Sequence, residues 1–312
     1  MSFQLRVPVA LIIFRRPETT RRVVEAIAAA RPPRLYVIAD GPRTPEEATQ
    51  CAATRAVVEQ AISWDCAVFT DYADINLGNK RRISSGLDRV FAQEEQAIVL
   101  EDDCVPDPTF FRFCQELLEK YRDEPRVMHI GGNNFLPQVR LPDSYAFCRY
   151  PHTWGWATWR RAWQLYDVDM RAWTAATDKS LLLKPFTHPR ERRFWQQMWD
   201  AVCAGQIDTW DYQWTFACVS HGGLAIAPAV NLVSNIGFGQ DASHTVYHDP
   251  RLMVAAAPID FPLRHPQTIA SHAGLDVHTA RLHFMVPTRA YVIRRAIKRQ
   301  LGRVRRALLR RA

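Results

Sequence analysis

Four short apolar runs, Val7–Phe14, Leu35–Asp40, Ala67–Tyr72 and Ala97–Glu101, alternate with three stretches of helical composition, Glu18–Ala30, Thr44–Ser63 and Asn79–Gln93. Continuous apolar runs of this length read as strands buried on both faces. Strands that alternate with helices dictate an α/β fold: a mostly parallel sheet with helices on both faces. Thr44 ahead of Pro45, Glu46 and Glu47 is a helix start, with a capping hydroxyl, a proline at the first position and acids near the positive end of the dipole. Ligands of such sheets bind outside the carboxyl ends of the strands. There the fourth run, in AIVLEDDCVPDPTFF (97–111), ends in three consecutive carboxylates, Glu101, Asp102 and Asp103. Acid in that position must be exposed, paired or bound to a cation.

The 312 residues, 47% of them hydrophobic, suffice to bury the core of one large domain or two smaller ones, and they exclude disorder. Seven scattered cysteines form no CxxC pair and no metal-type spacing, which suits free thiols in a reducing compartment. The apolar N-terminal stretch is broken by Pro8 and followed by Arg15 and Arg16, so it reads as a first strand and not as a signal peptide. No run approaches the roughly 20 apolar residues of a membrane-spanning helix. A cytoplasmic protein is expected.

The net charge of +8 is unevenly spread. Residues 289–312 carry ten basic residues and no acid, so the rest of the chain is close to neutral. In this tail Ile293, Ile297, Leu301, Val304 and Leu308 recur at steps of four and three, which sets one apolar helical face among arginines. Such a basic amphipathic helix suits an anionic membrane surface. Packing on the body or on a partner is the plainer alternative. A nucleic-acid partner is not expected, because a clean apolar stripe fits lipid better than a phosphate groove.

Several phosphate-binding devices are excluded. No GxGxxG follows the first strand, no GxxxxGK[ST] occurs, and the prolines after Asp103 rule out an EF-hand loop. A hard-cation site remains, in which carboxylate oxygens hold Mn2+ or Mg2+ and the metal holds a diphosphate; a solvated acidic turn is the alternative. Asp107, just ahead of a helical stretch, reads as a cap and not a ligand.

The segments IIFRRP, ADG, NLGNK and VLEDD with PDPTFF, then HTWGWATWRRAW (152–163), TWDYQWTF (209–216) and PAVNLVSNIGFGQDASHT (228–245), occur in an order that resembles the GT-A (Rossmann-like) nucleotide-diphosphosugar transferases. Within that fold they resemble the N-acetylglucosaminyltransferase I family and related bacterial glycosyltransferases. The resemblance spans roughly residues 6 to 250 and implies a metal-dependent, inverting transfer of a sugar from a nucleotide-diphosphate donor, a uridine one, to a hydroxyl of a glycan or lipid-linked glycan. It divides the chain into a nucleotide-sugar half (1–125), an acceptor and catalytic half (126–250), an extension (251–288) and the basic helix (289–312).

Residue by residue, the resemblance makes Asp103 a metal ligand, with His244 completing the shell or meeting the diphosphate. Glu101 and Asp102 face ribose and sugar. Phe14, Arg15, Asp40, Asn76 and Lys80 surround the nucleotide. Asp211 is the base that accepts the proton of the acceptor hydroxyl, with Asp208 as the competitor. Gly237 and Gly239 suggest a closing lid. Nine of the ten tryptophans fall between 154 and 214. Trp159 and Trp163, and likewise Trp195 and Trp199, read as helix core, whereas Trp154 and Trp156, separated by a glycine, read as a loop that could stack on an acceptor sugar. Two other readings stay open. A sugar nucleotidyltransferase should carry a glycine-rich loop after strand one, and IFRRPETT has no glycine. A non-catalytic module that binds a membrane surface or nucleic acid needs the carboxylates to be incidental.

Overall fold

The computed structural model describes residues 3–136, 138–237 and 253–282. His244, Gly239 and the basic segment 289–312 lie outside the described residues.

The chain begins with β1 (Val9–Ile13), α1 (Pro17–Ala30), β2 (Arg34–Ala39), α2 (Pro45–Ala61), β3 (Ala67–Tyr72), α3 (Gly78–Gln93) and β4 (Gln96–Glu101). It continues through β5 (Cys104–Pro106), α4 (Thr109–Lys120), β6 (Val127–Gly131), β7 (Tyr145–Cys148), β8 (Trp156–Trp159), α5 (Arg160–Trp163), α6 (Arg171–Ala175), α7 (Pro189–Cys203), α8 (Asp211–Ser220), β9 (Leu224–Pro228), β10 (Val233–Asn235) and α9 (Ala273–Leu282). Eight strands form one sheet in the order β3-β2-β1-β4-β8-β6-β9-β7, and β10 pairs with β5 in a separate antiparallel ribbon. The pairs among β3, β2, β1 and β4 are parallel, while β8 and β7 run against their neighbours. The fold is therefore α/β with a mostly parallel sheet, as the alternation of runs requires.

Alternate residues of β1 show why the strands had to be apolar throughout. Val9, Leu11 and Ile13 join the core under α1 and α4, while Ala10 and Ile12 join the core under α3, α5 and α8. In α1 the buried Thr20, Val23, Val24 and Ile27 form the stripe that meets the sheet. Thr44 caps α2 by accepting the Glu47 N–H, and Asp107 accepts the N–H of Thr109 at 2.9 Å ahead of α4. A third core is aromatic, with Trp173, Trp195, Trp199 and Phe186 gathered where α6, α7 and α8 meet.

One sequence expectation is corrected here. Trp159 does not share a helix with Trp163: it closes β8, whose residues Trp156–Trp159 are buried on both faces between β4 and β6. A four-residue aromatic strand is too short to show a period, so its tryptophans looked helical.

Register decides where the chemistry collects. Ile13 of β1 pairs with Ala39 of β2, and Ile12 with Glu101 of β4, so these strands end level. Trp156, the first residue of antiparallel β8, pairs with Val99 and with Gly131 at the end of β6. The turns after β1, β2, β4 and β6 and the loop entering β8 therefore open at one edge of the sheet.

Beneath that edge lies His129 of β6, fully buried and stacked on Trp156 with ring centroids 5.1 Å apart. Trp214 Nε1 donates to His129 Nδ1 at 3.1 Å, and Nε2 bonds the His152 carbonyl at 2.9 Å. An indole N–H only donates, so Nδ1 is the acceptor, Nε2 carries the proton and the ring is neutral. Burial pushes the pKa of this imidazole down to about 3, against the pull of the His152 carbonyl. The neutral native ring contributes stability above the unfolded histidine pKa, and that contribution is lost as pH falls from about 6.5 toward 3. Stability measured by urea unfolding should fall by roughly 1.4 kcal/mol per pH unit below about pH 6 from this group. His129→Gln should flatten that slope; an unchanged slope in the variant would assign the acid sensitivity elsewhere.

Candidate active site

The edge described above opens into a cleft of about 790 Å³, lined on one side by the turns after β1, β2 and β4 and on the other by the loops preceding β8 and α8. Its floor is the acidic trio. Asp102 is buried; its Oδ2 accepts the Phe14 N–H at 3.1 Å, and its Oδ1 accepts from Arg16 Nη2 at 2.5 Å. The other arm of the same guanidinium, Nη1, lies 3.0 Å from Asp103 Oδ2. Asp103 Oδ1 accepts from Asn235 Nδ2 at 3.3 Å, and the Asp103 carbonyl accepts the Ile236 N–H at 2.8 Å, so β10 is clamped to the acidic turn. Glu101 ends β4. Its carboxyl pKa is raised, first by loss of water and then by the charges of Asp103 and Asp102, while the nearby Arg16 opposes the rise. Asp211, on the other wall of the same cleft, adds in the same direction.

The turn after β1 presents Phe14 beneath two guanidinium groups, those of Arg15 at 5.6 Å and Arg43 at 5.4 Å from the ring centre. Glu47 of α2 holds both cations, at 2.8 Å from Arg15 Nη1 and 2.6 Å from Arg43 Nη2. Asp40 accepts four donors. Gly41 N–H and Leu77 N–H meet Oδ1, and Asn76 Nδ2 and Gly78 N–H meet Oδ2, all between 2.9 and 3.1 Å. It therefore caps the N-terminus of α3, where Gly78 takes φ +78°. Asn76 is held in turn by Asp40 and the Gly41 carbonyl. The Lys80 N–H lies 3.4 Å from Asp208 Oδ1, and Lys80 is not part of the cleft wall.

On the opposite side Asp211 opens α8 and accepts from the Thr209 hydroxyl. Asp208, the competitor, turns toward α3: its Oδ2 sits 3.0 Å from where a Cβ on Gly78 would be. Trp154 lines the cleft with Phe135, whose ring packs edge-on against Trp154 at 5.1 Å and His152 at 4.9 Å. Trp156 is a correction, because it is fully buried between His129 and Trp210 and offers no face to a sugar. The cleft thus brings together Phe14, Arg15, Asp40, Asn76, Glu101, Asp102, Asp103, Trp154, Asp208 and Asp211; it leaves out Lys80 and Trp156.

Arg16, Arg43, Phe135 and Asn235 were not singled out by the sequence. Arg16 stood beside Arg15 in IFRRP, but its partners lie 86 and 87 positions away in the chain, so no local pattern could mark it.

A divalent cation can be tested against this arrangement. Among the described residues no three His, Cys, Asp or Glu side chains converge as a metal shell. The donor chemistry nevertheless fits a hard cation, since oxygens of Asp102 and Asp103 already share one positive group, the Arg16 guanidinium.

No known protein-family model matches the chain, and no curated protein does. Among solved structures the chain is similar to a UDP-glucose pyrophosphorylase complexed with UDP-glucose (8% identity, TM-score 0.30, covering 51% of this chain and 79% of that one). It is also similar to a cytidylyltransferase from Leptospira borgpetersenii (11%, TM-score 0.32, 51% and 63%). A third is the 4-diphosphocytidyl-2C-methyl-D-erythritol synthase from Anaerococcus prevotii (10%, TM-score 0.34, 59% and 84%). Likeness at this level bears on neither the site nor the reaction.

Gly237 supplies a test of the clamp. A Cβ there would lie 2.1 Å from Asp103 Oδ2 and 2.7 Å from Arg16 Nη1, so only glycine lets the chain pass over this ion pair. Gly237→Ala should cost about 1–3 kcal/mol in urea unfolding, the usual size of overpacking. A neutral result would mean that the segment lifts freely off the acidic turn.

Proposed function

We propose that the chain is a transferase acting on a nucleotide-diphosphate sugar, and more finely a glycosyltransferase that passes the sugar from a uridine donor to a glycan hydroxyl. The observation that carries this reading is that Asp211, at the start of α8, and the acidic turn of Glu101, Asp102 and Asp103 line the opposite walls of one cleft. A hydroxyl nucleophile is neutral and needs a base within reach, and a carboxylate at the mouth of a helix opposite the leaving group supplies one. Thr209 orients Asp211 by donating to its Oδ1. Phe14 under its two arginines offers the base of the nucleotide a flat cationic surface, and Trp154 with Phe135 offers the acceptor sugar an aromatic wall. Mn2+ or Mg2+ on Asp103, with His244 as a further ligand, would neutralise the diphosphate as it leaves. The ten basic residues of 289–312 fit an acceptor carried on a lipid at an anionic membrane surface. No described helix is long and apolar enough to cross that membrane.

The second reading is a sugar nucleotidyltransferase, which would make the activated sugar on a similar sheet. Its nucleophile is a sugar phosphate, already an anion. A carboxylate facing such a nucleophile is unneeded as a base and repels it. One experiment separates the two. The purified protein is given UDP-sugars with glycan acceptors in one arm, and UTP with sugar 1-phosphates in the other, while UDP and pyrophosphate release are followed. Release of UDP, abolished in Asp211→Asn while calorimetric UDP binding survives, is expected. Pyrophosphate release instead would establish the nucleotidyltransferase, and unchanged turnover in Asp211→Asn would remove the base assignment.

A further inference from the structure

The arginines of the cleft are already engaged. Arg15 and Arg43 pair with Glu47, Arg82 pairs with Asp71, and Arg16 bridges Asp102 and Asp103. Arg16 is the one whose partners are the acidic turn itself, and it is well shielded, with 17% of its side chain exposed. Its two nitrogens occupy Asp102 Oδ1 and Asp103 Oδ2, and Asn235 approaches Asp103 Oδ1. A divalent cation directly bonded to an Asp103 oxygen must sit about 2.0–2.6 Å from it. With Arg16 Nη1 at 3.0 Å from Asp103 Oδ2, a cation on this carboxylate would lie directly beside the guanidinium. Two like charges at that separation repel strongly in a shielded site.

We infer that Arg16 is the resident counter-ion of the acidic turn and competes with the divalent cation for Asp103, so that loading the metal requires Arg16 to swing off. The inference rests on the nucleotide-sugar reading only in supposing that a hard cation belongs here. Gly237 closes over the Arg16–Asp103 pair, so the exchange involves the 235–237 segment as well. The cleft then holds one of two cations. Arg16 keeps the empty cleft neutralised, and the metal serves the loaded one.

Mn2+ alone, followed by calorimetry or by the paramagnetic signal of the free ion, tests the competition without nucleotide or turnover. Arg16→Gln should bind Mn2+ at least about tenfold more tightly than wild type, because a competing unit charge at contact distance is gone. Arg16→Lys keeps the charge but loses the fork that spans both carboxylates, and should fall between the two. It also serves if the glutamine variant does not fold. In the Asp103→Asn background the gain should vanish. Equal or weaker Mn2+ binding in both Arg16 variants overturns the proposal. A parallel UDP titration keeps the outcomes apart: tighter Mn2+ binding without any nucleotide binding would uphold the competition and discard the donor site.

Discussion

The floor of the cleft depends on one guanidinium between two carboxylates. A strand buried on both faces delivers Glu101, Asp102 and Asp103 to a place where water cannot fully solvate them, and unpaired charge there is expensive. Arg16 offsets this cost because β1 and β4 are parallel neighbours whose ends are level, with Ile12 opposite Glu101. Three residues past β1 the chain is still beside the acidic turn, and the first turn of α1 fixes it there: the Arg16 carbonyl accepts the Thr20 N–H at 3.0 Å and the Thr20 hydroxyl at 2.7 Å. Removal of either side of such a pair leaves the other side buried and uncompensated, so the two turns stand or fall together.

The N-terminus of α3 is the second organiser. Its unsatisfied N–H groups and positive dipole end draw carboxylates, and two of those in the cleft are spent on it. Asp40 takes Leu77 and Gly78, and Asp208 approaches Lys80 from the opposite wall. Asp208 thereby ties the loop before α8 to the N-terminus of α3 across the cleft. Glu101, Asp102, Asp103 and Asp211 are left as the cleft carboxylates not committed to α3, and of these Asp102 is held by Arg16 and the Phe14 N–H.

The strand ends, the α/β alternation, the cap on α2 and the acidic turn were legible because each is written within a few adjacent residues: apolar length, a threonine before a proline, three acids in a row. Trp156 misled because GWATW looks like a loop, whereas Gly155 at φ +71° only admits the chain into a strand buried on both faces. Lys80 misled because a residue shortly after a strand end can point either way, and the phase of α3 turns it aside. Asp40 stood at the right edge, but its commitment to α3 depends on Gly78 and Asn76 folding back over it. Arg16 was invisible as a partner because only the β1–β4 register brings it to Asp102.

Six carboxylates line the cleft, those of Asp40, Glu101, Asp102, Asp103, Asp208 and Asp211, against the four arginines Arg15, Arg16, Arg43 and Arg82. Two of the acids are satisfied by helix N–H groups, two by Arg16, and the other three arginines answer acids of α2 and β3. Among the described residues, a diphosphate entering this cleft would find no idle arginine and would meet Glu101 and Asp211 as well. The protonation that burial favours at Glu101 relieves one of these charges. Relief of the rest demands that positive charge arrive with the ligand or be released from within, and the Arg16 bridge is the internal source that lies in direct contact with the acidic turn. On the proposed reading, a cleft built this way favours an anion accompanied by its cation over a free anion, a preference that residue identities alone, without their pairing, would not reveal.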